Sequence, residues 1–109
     1  MSSWNCREAS LPARTDAAMR AANVEAASAY VQAQELQSAG KPKEALDGYN
    51  KALKLDPQLG RAYAGLGAVS SAMGNRDDAI RYYQQALNLI DRMTEREKFR
   101  TRGGYFTVI

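Results

Sequence analysis

The sequence predicts an all-α fold built as a solenoid of antiparallel helix hairpins, about two and a half of them. Three observations predict it. Shifted by thirty-four residues, the chain aligns Gly40 with Gly74, Ala45 with Ala79, Tyr49 with Tyr83, Ala52 with Ala86, Leu53 with Leu87 and Leu55 with Leu89, and that period is the length of a helix–turn–helix unit. Within each unit the apolar residues recur with helical spacing. The composition is rich in Ala, Leu, Gln and Arg and poor in β-branched residues, which lose rotamer freedom in a helix.

The elements follow in order. Residues 24–39 read as a first helix, closed by Gly40, which supplies a left-handed residue, while Pro42 suits the first turn of the next. The second helix, 42–55, places Ala45, Leu46, Tyr49, Ala52 and Leu53 on one stripe, and Asp56-Pro57 ends it because a residue before proline is pushed out of the helical region. A third helix spans 59–73, and Gly74-Asn75 repeats the turn, with Asn75 as N-cap. The fourth, 76–92, carries Ala79, Ile80, Tyr83, Ala86 and Leu87 on its stripe. A fifth starts at Thr94, where Thr94 and Glu97 form a capping box, and runs toward Gly103-Gly104 and the end of the chain. Residues 1–23 read either as an unordered leader or as a short capping helix begun around Thr15–Arg20, with Trp4 packed on the first repeat. The expected organisation is therefore 1–23, a first repeat over 24–57, a second over 58–92, and over 93–109 the first helix of an incomplete third.

These residues resemble the tetratricopeptide repeat family. The second unit carries Tyr63, Leu66, Gly67, Gly74, Ala79, Tyr83 and Ala86, departing at Ser70, where an aromatic is usual, and at Asp91, where proline is usual. The first has Ala33, Leu36, Gly40, Ala45, Tyr49, Ala52 and Pro57, with Ala29 and Gln32 in place of the large residue and the leucine. A further likeness, over residues 90–98, is to the repeat regions attached to some bacterial eukaryotic-type serine/threonine kinases and membrane-tethered regulators; the kinase motifs themselves are lacking. The resemblance implies a right-handed α-solenoid that binds protein or peptide in a concave groove lined by the first helix of each hairpin. Carried over position by position, that groove holds Ala27, Tyr30, Gln34 and Gln37, then Arg61, Ala64, Ala68 and Ser71, then Lys98 and Arg102. Chaperone-binding members clamp a carboxylate with Lys and Asn in the first repeat; Tyr30 and Gln34 hold that face here, so that activity is not implied.

All the charged groove residues are basic. One reading is a groove for a segment with acidic side chains or a terminal carboxylate, with Arg61, Lys98 and Arg102 as charge-assisted donors; the other is a solvated face without a partner. Phe99, Tyr105, Phe106, Val108 and Ile109 form an apolar C-terminal cluster, and a second functional reading is self-association of copies through it. Tyr49 and Tyr83, and less clearly Tyr82, read as wedges between helices rather than a stacking site.

Composition excludes much else. The chain has 109 residues, 15 Lys and Arg against 12 Asp and Glu, no His and one cysteine, Cys6. Without His the usual triads and metal hydrolase sites cannot be assembled, and Cys6 has no companion for a disulfide or a zinc site. Asp77-Asp78 sit in a first helical turn, where carboxylates complement the dipole. Phosphate-loop and dinucleotide fingerprints are missing. No enzyme, cofactor, metal or nucleic-acid partner is expected. The run Arg96, Lys98, Arg100, Arg102 alternates with Glu95 and Glu97 as a solvated face does, and the sequence lacks a signal-peptide core or a membrane-spanning run, which makes cytoplasm the default.

Overall fold

A computed structural model describes residues 16–109. Five α-helices follow one another: α1, Asp16–Ser38; α2, Pro42–Leu55; α3, Gly60–Ala72; α4, Arg76–Asn88; and α5, Glu95–Val108, with a 3₁₀ turn at Ile90–Arg92 before α5. Helix α1 pairs with α2 and α3 with α4 as hairpins, α2 and α3 join the two hairpins, and α5 lies against α4 and α3.

The hairpin turns are built by glycine. Gly40 has φ 77° and Gly74 φ 84°, a region closed to most side chains. At the first turn Lys41 N–H donates to the Leu36 carbonyl at 2.9 Å and Gly40 N–H to Gln37 at 3.1 Å. The second repeats this geometry, Asn75 to Ser70 at 2.8 Å and Gly74 to Ser71 at 3.0 Å. Both are Schellman closures, which satisfy carbonyls that a helix end leaves orphaned. Because these backbone bonds set the turn, Asn75 stands at the N-cap of α4 without a capping side-chain bond, contrary to the expectation for it.

Small residues make the core possible. Ala33, Ala45, Ala52 and Ala62 are wholly buried around Tyr49, Leu66 and Val69. At Gly48 an added Cβ would fall 2.9 Å from the Ala33 Cβ, so α1 and α2 touch almost backbone to backbone there. Aromatic wedges then fill the gaps that alanines leave: Tyr49 sits between the hairpins and Tyr83 between the second hairpin and α5.

Two element bounds differ from the sequence-based expectation. Helix α1 begins at Asp16 rather than residue 24, since the alanine-rich stretch ahead of Val24 favours continued helix. Helix α4 stops at Asn88, and the residues expected to prolong it form the 3₁₀ turn. Helix α5 runs through Gly103-Gly104 to Val108; its end is held by Arg76, whose Nε donates to the Val108 carbonyl at 2.7 Å and whose Nη2 donates to that of Ile109 at 2.9 Å. The readings for residues 1–15, Trp4 and Cys6 among them, lie outside the described residues.

Candidate functional site

Three helices, α1, α3 and α5, line a concave cleft of about 250 Å³. Tyr30, Gln34, Gln37 and Ser38 come from α1, Arg61, Ala64, Gly65 and Ala68 from α3, and Glu97, Arg100 and Thr101 from α5, with Tyr83 of α4 at the base. Alanine and glycine on the middle helix keep the floor low while longer side chains on the flanking helices form the walls.

The walls are cross-linked. The Tyr49 hydroxyl donates to Gln37 Oε1 at 2.7 Å, and Gln34 Nε2 donates to the Tyr30 hydroxyl at 2.9 Å. The rings of Tyr30 and Tyr49 are tilted against each other with centroids 5.6 Å apart. On the far side of Tyr30 lies the Arg61 guanidinium, 4.7 Å from the ring centroid. Arg61 Nη1 reaches Glu97 Oε2 at 3.3 Å, while Glu97 Oε1 accepts the Thr94 backbone N–H at 3.0 Å and the Thr94 hydroxyl accepts the Glu97 N–H at 3.2 Å. One carboxylate thus closes the expected capping box of α5 and ties α5 to α3.

This network fixes which polar atoms remain for a ligand. Among the described residues Gln34 keeps its Oε1 as an acceptor and Gln37 its Nε2 as a donor, a pair that matches the N–H and C=O of a peptide backbone. Arg61 Nε is buried without a hydrogen-bond partner among the described residues. Burial raises the Tyr30 hydroxyl pKa, with the neighbouring Arg61 charge opposing; burial also raises that of Tyr49, to about 12. Both phenols are neutral at physiological pH and act as hydrogen-bonding, apolar walls.

Of the residues expected in the groove, Tyr30, Gln34, Gln37, Arg61, Ala64 and Ala68 line the cleft together. Lys98 and Arg102 do not: Lys98 pairs with Glu95 at 3.3 Å, and Arg102 is exposed beside the inward-facing Thr101. They came from carrying the thirty-four-residue period onto α5. Residues 56–59 join α2 to α3, whereas 89–94 join α4 to α5, and the pairing of Arg61 with Glu97 spans thirty-six residues. Shifting Arg61, Ala64 and Gly65 by thirty-six gives Glu97, Arg100 and Thr101, the three α5 residues in the cleft. The signal that points to them is Asp91, where the pattern expects proline, which marks a changed connection.

The C-terminal apolar cluster divides in two. Tyr105 and Val108 pack inward on Ala79, Tyr83 and Ile80, while Phe99, Phe106 and Ile109 are 81%, 71% and 54% exposed.

Paired helices stacked side by side, with a cleft across their first members, define a helical-hairpin repeat scaffold. Two family models described as tetratricopeptide repeat match the chain, one over residues 25–59 and the other over 62–97. The chain belongs to the tetratricopeptide repeat family, whose repeats are in general protein–protein interaction modules and whose fold is a non-catalytic scaffold. It is 43% identical over 49 residues to the cell division cycle protein 16 homologs of Homo sapiens and Mus musculus, a match covering 45% of this chain and 8% of those proteins. A tetratricopeptide repeat domain protein from Salinibacter ruber, solved in solution by NMR, superposes with a TM-score of 0.62 at 22% identity over 72% of this chain and 81% of that one, a likeness of fold.

Proposed function

We propose that the chain is a protein-interaction module whose concave cleft takes an extended peptide segment bearing an acidic side chain. The observation that carries this reading is the composition of the cleft: two arginines, Arg61 and Arg100, against the single carboxylate of Glu97, beside an unengaged acceptor and donor on Gln34 and Gln37. A carboxylate from the segment meets the guanidinium groups of Arg100 and Arg61, and its backbone runs along the two carboxamides. Tyr30 offers an aromatic wall. A cleft of about 250 Å³ suits one or two peptide side chains better than a cofactor, whose pockets usually exceed about 300 Å³.

The test is selection of displayed ten-residue peptides against the whole chain, followed by anisotropy titration of labelled hits. Enrichment of Asp or Glu is expected, with Arg61→Gln weakening the hits about tenfold, the size of one lost charge-assisted contact. Hits without acidic enrichment, or affinity indifferent to both Arg61→Gln and Gln34→Ala, would overturn the reading.

A further inference from the structure

Of the two cleft arginines, Arg61 holds a carboxylate of the chain itself. Its Nη1 meets Glu97 Oε2 at 3.3 Å, a single contact longer than the about 2.8 Å of a tight charge-assisted bond. Arg100 is exposed and in no ion pair among the described residues. Asp56 borders the neighbouring depression together with Arg61, but its Oδ1 accepts the Gln58 N–H at 3.1 Å, and it forms no ion pair with Arg61 among the described residues. Glu95 and Lys98 pair with each other, and neither lines the cleft. All three cleft charges lie close to the Tyr30 hydroxyl: beside the burial that raises its pKa, Arg61 lowers it, Glu97 raises it and Arg100 lowers it.

Each member of the Arg61–Glu97 pair has a second hold. Glu97 Oε1 accepts the Thr94 N–H at 3.0 Å in the capping box of α5. The Arg61 guanidinium lies over the Tyr30 ring, 4.7 Å from its centroid. The carboxylate thus keeps its place through the cap and the guanidinium through the ring, and their mutual contact is the part that can be exchanged. The two side chains are 33% and 23% exposed, and an ion pair open to water contributes little. Such a contact handicaps an incoming carboxylate without barring it.

We propose that Glu97 is a specificity-determining residue of the cleft, an internal competitor whose carboxylate occupies Arg61 Nη1 and contends for it with an acidic segment. It lowers affinity for acidic segments and leaves that for neutral ones unchanged. The inference rests on the cleft reading above.

Anisotropy titrations test it with a labelled acidic peptide selected against the whole chain and the same peptide with its Asp or Glu changed to Asn or Gln. Glu97→Gln is the informative variant, because glutamine serves equally at the third helical position of a capping box, so the cap stays while the charge goes. Circular dichroism checks the fold of each variant. The acidic peptide is expected to bind Glu97→Gln about three- to fivefold more tightly than the unaltered chain, and the neutral peptide equally well to both. In an Arg61→Gln background the gain from Glu97→Gln should vanish, since nothing is left to contend for. A gain that persists in that background overturns the proposal, because Glu97 then acts through its field alone. Weaker binding to Glu97→Gln also overturns it, showing that the carboxylate positions Arg61 for the ligand, and so does unchanged binding. Arg61→Gln alone separates these failures from that of the cleft reading. If it weakens the acidic peptide about tenfold while Glu97→Gln gives no gain, the cleft reading stands and this inference falls. Selected peptides without acidic residues overturn both.

Discussion

Tyr49 and Tyr83 occupy equivalent places in successive hairpins, yet their surroundings differ. Tyr49 is 1% exposed, donates its hydroxyl to Gln37, and receives Gly65 of the next hairpin against its ring. Tyr83 packs against Gly67, Gly104 and Val108 with its ring bordering the cleft. The first junction is a closed wedge between two complete hairpins; the second is a wedge with one side open to the cleft. Identical residues at identical repeat positions thus do different work, one fixing how hairpins stack and the other shaping the base of a cleft.

The largest expected effect comes from deleting the rings. Tyr49→Ala should cost about 3–5 kcal/mol by urea denaturation and leave the chain near the limit of folding, whereas Tyr83→Ala should cost about 2–3 kcal/mol because part of its cavity opens to water. Equal losses would break the comparison. The glycines that face these rings sharpen it. Gly65→Ala drives a Cβ to 2.5 Å from the Tyr49 ring, which is confined, and should destabilise by about 1–3 kcal/mol. Gly104→Ala meets the hydroxyl end of Tyr83, which can swing toward the cleft, and the helix-propensity gain of about 1 kcal/mol offsets much of the strain. Thermal unfolding of the two variants separates the outcomes.

The smallest effect is at the hydroxyls. Tyr49→Phe removes a hydrogen bond and should cost about 1 kcal/mol at neutral pH, leaving Gln37 short of a partner, while Tyr83→Phe should be close to neutral. The raised pKa of Tyr49 gives this pair a pH signature. The neutral phenol is favoured in the folded state, so its contribution is complete below about pH 10 and is lost as pH climbs to about 12. Tyr49→Phe should flatten that alkaline decline in a urea-midpoint series. An unchanged slope would mean that the Tyr49 hydroxyl titrates as it does in the unfolded chain.

Where one residue type suffices for a structural task, the sequence was legible. Gly40 and Gly74 announce the turns, and the Ala-Tyr-Ala stripes announce which faces pack, so both hairpins could be read directly, while the six residues now found lining the cleft were implied by the family resemblance. What escaped depended on spacing after a changed connection. The 3₁₀ turn ahead of α5 shifts its register, so Arg100 rather than Lys98 enters the cleft, and an unbroken period has no means of encoding that. Pairings between remote groups also escaped: Arg76 with the α5 carbonyls, and Glu97 with Arg61. Neither partner is remarkable in sequence, because a solvated arginine and a capping glutamate are satisfied without them. Asn75 illustrates the reverse, a residue with cap chemistry whose task the backbone already performs.

The shared carboxylate of Glu97 joins the cleft to the start of α5. Under the proposed reading, a ligand acceptor that drew Arg61 away would release Glu97 from α3, and amide exchange in the first turn of α5 would be the measurement to follow. By reciprocity, whatever loosens that turn alters ligand affinity by the same factor. The helix cap would then serve as a gauge of what the groove holds.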